Sequence, residues 1–145
     1  MLRRSSQGVT LIELIAVLAI IAVLAALALP GFETQVRRAR RADAWVATMR
    51  VQAAQERFRS RAPGYGNLAE IGMADRSEGG HYGLEIAARD AHGFELLATA
   101  AGVQSRDESC RHMRLRSRYM TPVYASGPDR TVSNGASANR RCWNP

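Results

Sequence analysis

Leu14 to Leu29 is an unbroken run of sixteen apolar residues, and no other feature of the chain constrains its folding as strongly. Extended back to Val9, the stretch has 21 residues, of which only Thr10 and Glu13 are polar. As a helix it spans about 31 Å, close to the hydrocarbon thickness of a bilayer. A short basic segment, Met-Leu-Arg-Arg-Ser-Ser-Gln-Gly, precedes it. Such a stretch could be a secretory signal cut after Ala26-Leu27-Ala28, a plain anchor, or a span that uses its acid. Glu13 argues for the last. A carboxylate inside an insertion signal costs ~2.5–3.5 kcal/mol at mid-helix, and somewhat less near an end. An acid kept there marks a function, with a positive group on a neighbouring chain as its natural partner.

About 115 residues remain, enough for one small core. The chain carries 20 basic and 13 acidic residues, a formal charge of +7, and every basic residue is arginine. That charge permits an anionic partner without requiring one. The complete absence of lysine reads as a coding bias of the whole genome. Together these features exclude a multidomain enzyme, a cysteine-rich zinc protein and a disordered chain.

The string Gly8-Val9-Thr10-Leu11-Ile12-Glu13-Leu14, ahead of the long apolar tail, resembles the prepilin signature of type IV pilins. In that family a basic leader ends in glycine and is cut by an inner-membrane prepilin peptidase. The new N-terminus is methylated, and a glutamate stands at the fifth mature position. The resemblance implies Gly8 as the last leader residue, Val9 as the methylated N-terminus and Glu13 as the assembly glutamate. Pro30 falls where pilins commonly carry a helix-kinking proline. The family usually has phenylalanine or methionine at the first mature position, where this chain has Val9. Arg37, Arg38, Arg40 and Arg41 follow the span and outnumber the two arginines before it. Charge counting alone therefore favours a cytoplasmic C-terminus, whereas the resemblance implies a globular part outside the cytoplasm.

Helical spacing resumes after Pro30-Gly31 and continues to about Ser60. Val36, Ala39, Ala42, Trp45, Val46, Met49 and Ala53 share one side of the wheel. Arg37, Arg41, Thr48, Gln52, Gln55 and Arg59 lie opposite, so the apolar stripe is expected to pack on a sheet. Pro63-Gly64-Tyr65-Gly66 ends the helix. Tyr82, Leu84, Ile86 and Ala88 alternate with polar and small residues. Asp90-Ala91-His92-Gly93 turns the chain, and Phe94, Leu96, Ala98 and Ala100 alternate again, as in a β-hairpin. A third strand, His112 to Tyr119, places Met113, Leu115, Ser117 and Tyr119 on one side and His112, Arg114, Arg116 and Arg118 on the other. From Pro122 the tail is rich in Gly, Ser, Asn and Arg, with little to bury.

Cys110 and Cys142 both follow the apolar run. In the oxidising compartment that the pilin resemblance implies, they form a disulfide, worth ~3–4 kcal/mol by loop closure. Their placement, with Trp143 beside Cys142, resembles minor pilins of the PilE type. Nothing points to catalysis or a cofactor. His81, His92 and His112 lie in separate segments without metal-ligand spacing, and Asp107, Glu108 and Asp129 are too sparse for a calcium loop. Arg114, Arg116 and Arg118 on one strand face, with Arg111, Arg130, Arg140 and Arg141 nearby, form either a solvated or subunit-facing surface or a set of DNA phosphate contacts. The first reading is preferred.

The expected architecture is therefore α+β, a pilin lollipop whose long N-terminal helix packs on a small antiparallel sheet. Residues 1–8 form the leader, 9–31 the transmembrane and assembly helix, and 32–145 the globular domain with a disulfide loop. The resemblance implies a filament subunit, inserted in the inner membrane before assembly and then extracellular. Its partners would be other pilins, the peptidase and the inner-membrane assembly machinery. A type II secretion pseudopilin and a DNA-binding competence pilin are the alternatives.

Overall fold

A computed structural model describes residues 8–144; residues 1–7, within the expected leader, and residue 145 lie outside them. The elements run α1 (Leu11–Arg59), β1 (Tyr82–Arg89), β2 (Gly93–Ala100), β3 (His112–Arg118), β4 (Thr121–Gly127) and α2 (Ala136–Trp143). Two short 3₁₀ turns, Gly102–Arg106 and Glu108–Cys110, join β2 to β3. The four strands form one antiparallel meander in sequence order. The class is α+β, as the sequence leads one to expect. By internal contacts the chain divides into two units, Met1–Gln35 and Val36–Pro145.

In the first unit α1 continues through Pro30-Gly31 without a break in helical backbone. Its apolar side chains are uniformly exposed, from Leu11 at 78% to Leu27 at 76%. Among the described residues α1 is the one helix long and apolar enough to cross a membrane. So much bare hydrocarbon in water is untenable, and this segment needs lipid or other chains around it.

In the second unit the core lies between the C-terminal half of α1 and the inner face of the sheet. Tyr82 and Leu84 of β1, Phe94, Leu96, Ala98 and Ala100 of β2, and Met113, Leu115 and Ser117 of β3 are all buried. The hairpin and third strand thus bury the sides their alternation assigns, with two corrections. A bulge between Ile86 and Ala88 breaks the β1 register, so Ala88 is exposed instead of facing the core. Tyr119 leaves the strand altogether and sits in the β3–β4 turn, 67% exposed. Gly93 is required where it stands: a Cβ there would lie 2.2 Å from the Ser117 carbonyl oxygen on β3.

The packed face of α1 is the reverse of the expected one. Ala44, Ala47, Thr48, Val51, Ala54 and Gln55 are buried, whereas Val46 and Ala53 are exposed. The small residues allow close approach, and the larger Gln55 is hydrogen-bonded at both ends of its amide, whereas the Thr48 hydroxyl is buried without a partner among the described residues. Gln55 donates from Nε2 to the Gly66 carbonyl (2.7 Å) and accepts from the Gly66 amide (2.9 Å), anchoring the turn that ends α1. Arg59 lies over the Tyr65 ring at 5.2 Å. A hydrogen-bonded polar side chain can be buried at little cost, so hydropathy alone misassigned the face.

Candidate functional site

Gly8 and Val9 precede α1, exposed and outside regular secondary structure. A Cβ on Gly8 would meet nothing within 4 Å, so this chain's own packing does not require the glycine. Thr10 is the N-cap of α1 and Glu13 its third helical residue. The Glu13 amide donates to Thr10 Oγ1 (3.3 Å), and the Thr10 amide donates to Glu13 Oε2 (3.5 Å). This reciprocal capping box satisfies two orphan donors and holds the carboxylate at the N-terminal end of α1. The Thr-x-x-Glu spacing that signals it is visible in the sequence.

The Cys110–Cys142 disulfide is present, with Cα atoms 5.5 Å apart and both residues fully buried. Around it the tail is ordered by specific contacts. Trp143 of α2 donates from Nε1 to the Ala125 carbonyl of β4 (3.0 Å), and Asn139 donates to the Tyr124 carbonyl (2.9 Å). Trp45, Tyr124 and Trp143 stack on one another at 4.9–6.2 Å, joining α1, β4 and α2. Arg41, assigned by its spacing to the solvent side, instead forks onto the buried Asp107 carboxylate at 2.7 and 2.9 Å. Its third nitrogen donates to the Arg141 carbonyl (3.0 Å). The bidentate pair ties α1 to the β2–β3 connection and the Arg141 bond ties it to the disulfide loop, and no periodicity could have revealed either. Asp129, weighed above for a calcium loop, is engaged by Thr131.

A second carboxylate on α1 organises a loop. Asp43 accepts from Ser77 Oγ (2.6 Å) and from the amides of Gly79 (2.9 Å) and His81 (3.2 Å). Burial pushes its pKa up, but those hydrogen bonds prevail and leave it below the ordinary carboxylate value.

Arg114, Arg116 and Arg118 do share the outer face of the sheet, as β3 alternation requires. They are not free cations. Glu95 on β2 takes Arg116 at 2.8 Å and Arg114 at 3.7 Å, and Asp90 takes Arg118 at 3.2 Å. Arg130 reaches Glu85 at 2.9 Å. The amides of His92 and Gly93 donate to Asp90, lowering its pKa, and Arg118 adds to the effect. Burial, with Arg130 and Arg111 beside it, lowers the pKa of His112 on the same face, which favours its neutral form. A cleft of about 190 Å³ lies between Ala88–Asp90, Gly93–Glu95, Arg116 and Arg118. Arg116 and Arg118 remain 57% exposed, against 26% for Arg114. The cleft lining holds Arg89, Arg116 and Arg118 against Asp90 and Glu95, with Arg89 also paired to Glu70 at 3.3 Å, so with Arg114 beside it the face keeps a small basic excess.

Residues 3–29 match the prokaryotic N-terminal methylation motif. Residues 30–114, more than half of the chain, match the family described as type IV minor pilin ComP, DNA uptake sequence receptor. No curated protein matches the chain. The methylation motif, the bare apolar half of α1 and the disulfide-closed α+β unit agree with these matches. The chain belongs to the ComP family of type IV minor pilins, membrane-anchored first and then incorporated into the pilus.

Proposed function

We propose that this minor pilin is a DNA-binding subunit of the pilus, and that its basic sheet face is the contact surface. The observation that carries the reading is the placement of that face. The stretch similar to a DNA uptake sequence receptor runs to Arg114, into the strand whose outer side presents Arg116 and Arg118. Phosphates can compete for these guanidiniums because Arg116 and Arg118 are themselves 57% exposed, and the Arg118–Asp90 pair, exposed on both sides, contributes only ~0–1 kcal/mol. Two phosphate contacts account for roughly 1.8 units of the slope of log K against log salt, and three for roughly 2.7.

The Arg116→Gln/Arg118→Gln variant should therefore keep its melting temperature, bind duplex DNA more weakly and lose about 1.8 units of salt slope. Fluorescence anisotropy of a labelled mixed-sequence duplex, titrated with the full chain in detergent at several salt concentrations, measures this. Absence of binding by the wild-type chain at low salt refutes the reading and leaves a purely structural pilin.

For assembly, the exposed Gly8–Val9 bond is the site of the prepilin peptidase, and Val9 is then methylated. Gly8 fits this role because nothing in the chain's own packing requires it. Residues 1–8 are then the leader, 9–31 the membrane and assembly helix and 32–145 the globular domain, which lies outside the inner membrane. Glu13 pairs with the N-terminal amine of a neighbouring subunit, offsetting the cost of a carboxylate in an apolar filament core. Pro30 supplies a bend during loading by the inner-membrane machinery. The role is structural, with neither catalysis nor a cofactor.

A further inference from the structure

The turn between β3 and β4 is built against its own conformational preference. Arg118 pairs with Thr121 across it, so Tyr119 and Met120 are the two central residues of a two-residue hairpin. Both have positive φ, 48° and 62°. Such a turn suits asparagine–glycine, and bulky L side chains adopt it only with strain. Neither side chain offsets the strain by burial, since Tyr119 is 67% and Met120 66% exposed. Tyr119 is nevertheless held in place. Its amide donates to the His92 carbonyl (2.9 Å), and its ring stacks on that of His92 at 5.3 Å. Val123, paired in register with Arg116, adds a third exposed apolar side chain.

A rigid aromatic and a thioether thus stand at the edge of the basic face, directly beyond Arg118. A purely apolar protein partner would leave those arginines facing an uncharged surface. Stacked bases bordered by phosphates match both features at once. Apolar wedges flanked by cations unstack base steps, and aromatic rings stack on bases. We propose that Tyr119 and Met120 form a wedge that inserts against the bases of duplex DNA whose phosphates Arg116 and Arg118 hold. This deepens the DNA-binding reading and rests on it. The strain is retained because asparagine–glycine, which would relieve it, has nothing to stack.

The test uses the full chain in detergent and mixed-sequence duplexes carrying 2-aminopurine at successive positions, whose fluorescence rises on unstacking. Wild type should bind and brighten the probe, and Tyr119→Phe should do the same. The double variant Tyr119→Asn/Met120→Gly should melt at or above the wild-type temperature. It should bind about tenfold more weakly, give no fluorescence rise and keep the wild-type salt slope. Wild-type affinity and brightening in the double variant would overturn the wedge while leaving DNA binding intact. A salt slope flattened in the double variant would also overturn it, by making the turn a phosphate contact. No binding by the wild-type chain at low salt removes the underlying DNA reading itself.

Discussion

Replacing both Cys110 and Cys142 with alanine is expected to destabilise the Val36–Pro145 unit by ~2–5 kcal/mol, lowering its melting temperature by about 10–20 °C. The bridge has this leverage because the β4–α2 segment it ties to the rest of the unit contributes little burial of its own. In α2 only Cys142 and Trp143 are buried, and β4 buries only Ser126 and Gly127. Without the bridge, loop-closure entropy opposes docking of the tail, and the Trp45–Tyr124–Trp143 cluster opens with it. Near-ultraviolet circular dichroism should therefore lose its aromatic signal in the same transition. The alanine pair leaves no buried lone thiol, so the loss measures the constraint itself. Equal melting temperatures with and without reductant would show that the packing of α2 and β4 suffices alone.

The second large effect concerns Glu13. Glu13→Gln keeps a side chain able to complete the capping box with Thr10, and it removes the charge. Glu13→Val removes both. Each eases membrane insertion, so membrane levels and leader cleavage should stay normal. If the charge pairs with a neighbour's amine, both variants should be nearly absent from sheared filaments. Glu13→Gln is the decisive one. Normal incorporation of this variant would make Glu13 a helix cap and nothing more. Loss of Glu13→Val alone would assign the same local role.

The long apolar helix and the helix–hairpin–strand order were legible because each rests on a local signal, and the disulfide because the resemblance implies an oxidising compartment for the two cysteines. Continuous apolarity and strict alternation need no tertiary context. The face of α1 was not legible, because the neighbours that satisfy Gln55 and Arg41 come from the Gly66 turn and from Asp107. Hydropathy scores such residues as solvated, whereas a fork onto a buried carboxylate makes Arg41 part of the packing. β4 escaped notice as an edge strand that begins Thr121-Pro122 and buries little, so it shows no alternation. The arginine face was placed correctly by the period of β3. The pairing of Arg114 and Arg116 with Glu95 was invisible, because it depends on the register of β2 against β3. The Tyr119–Met120 turn carries none of the usual Gly or Asn markers, and only the positive φ values reveal it.

The most direct test of the central claim is the intact mass of this subunit in filaments sheared from its native host. The account predicts a chain that begins at Val9, carries one added methyl group and lacks the hydrogens lost to the Cys110–Cys142 bridge. A mature N-terminus at Leu29, or a subunit that still carries residues 1–8, would contradict it.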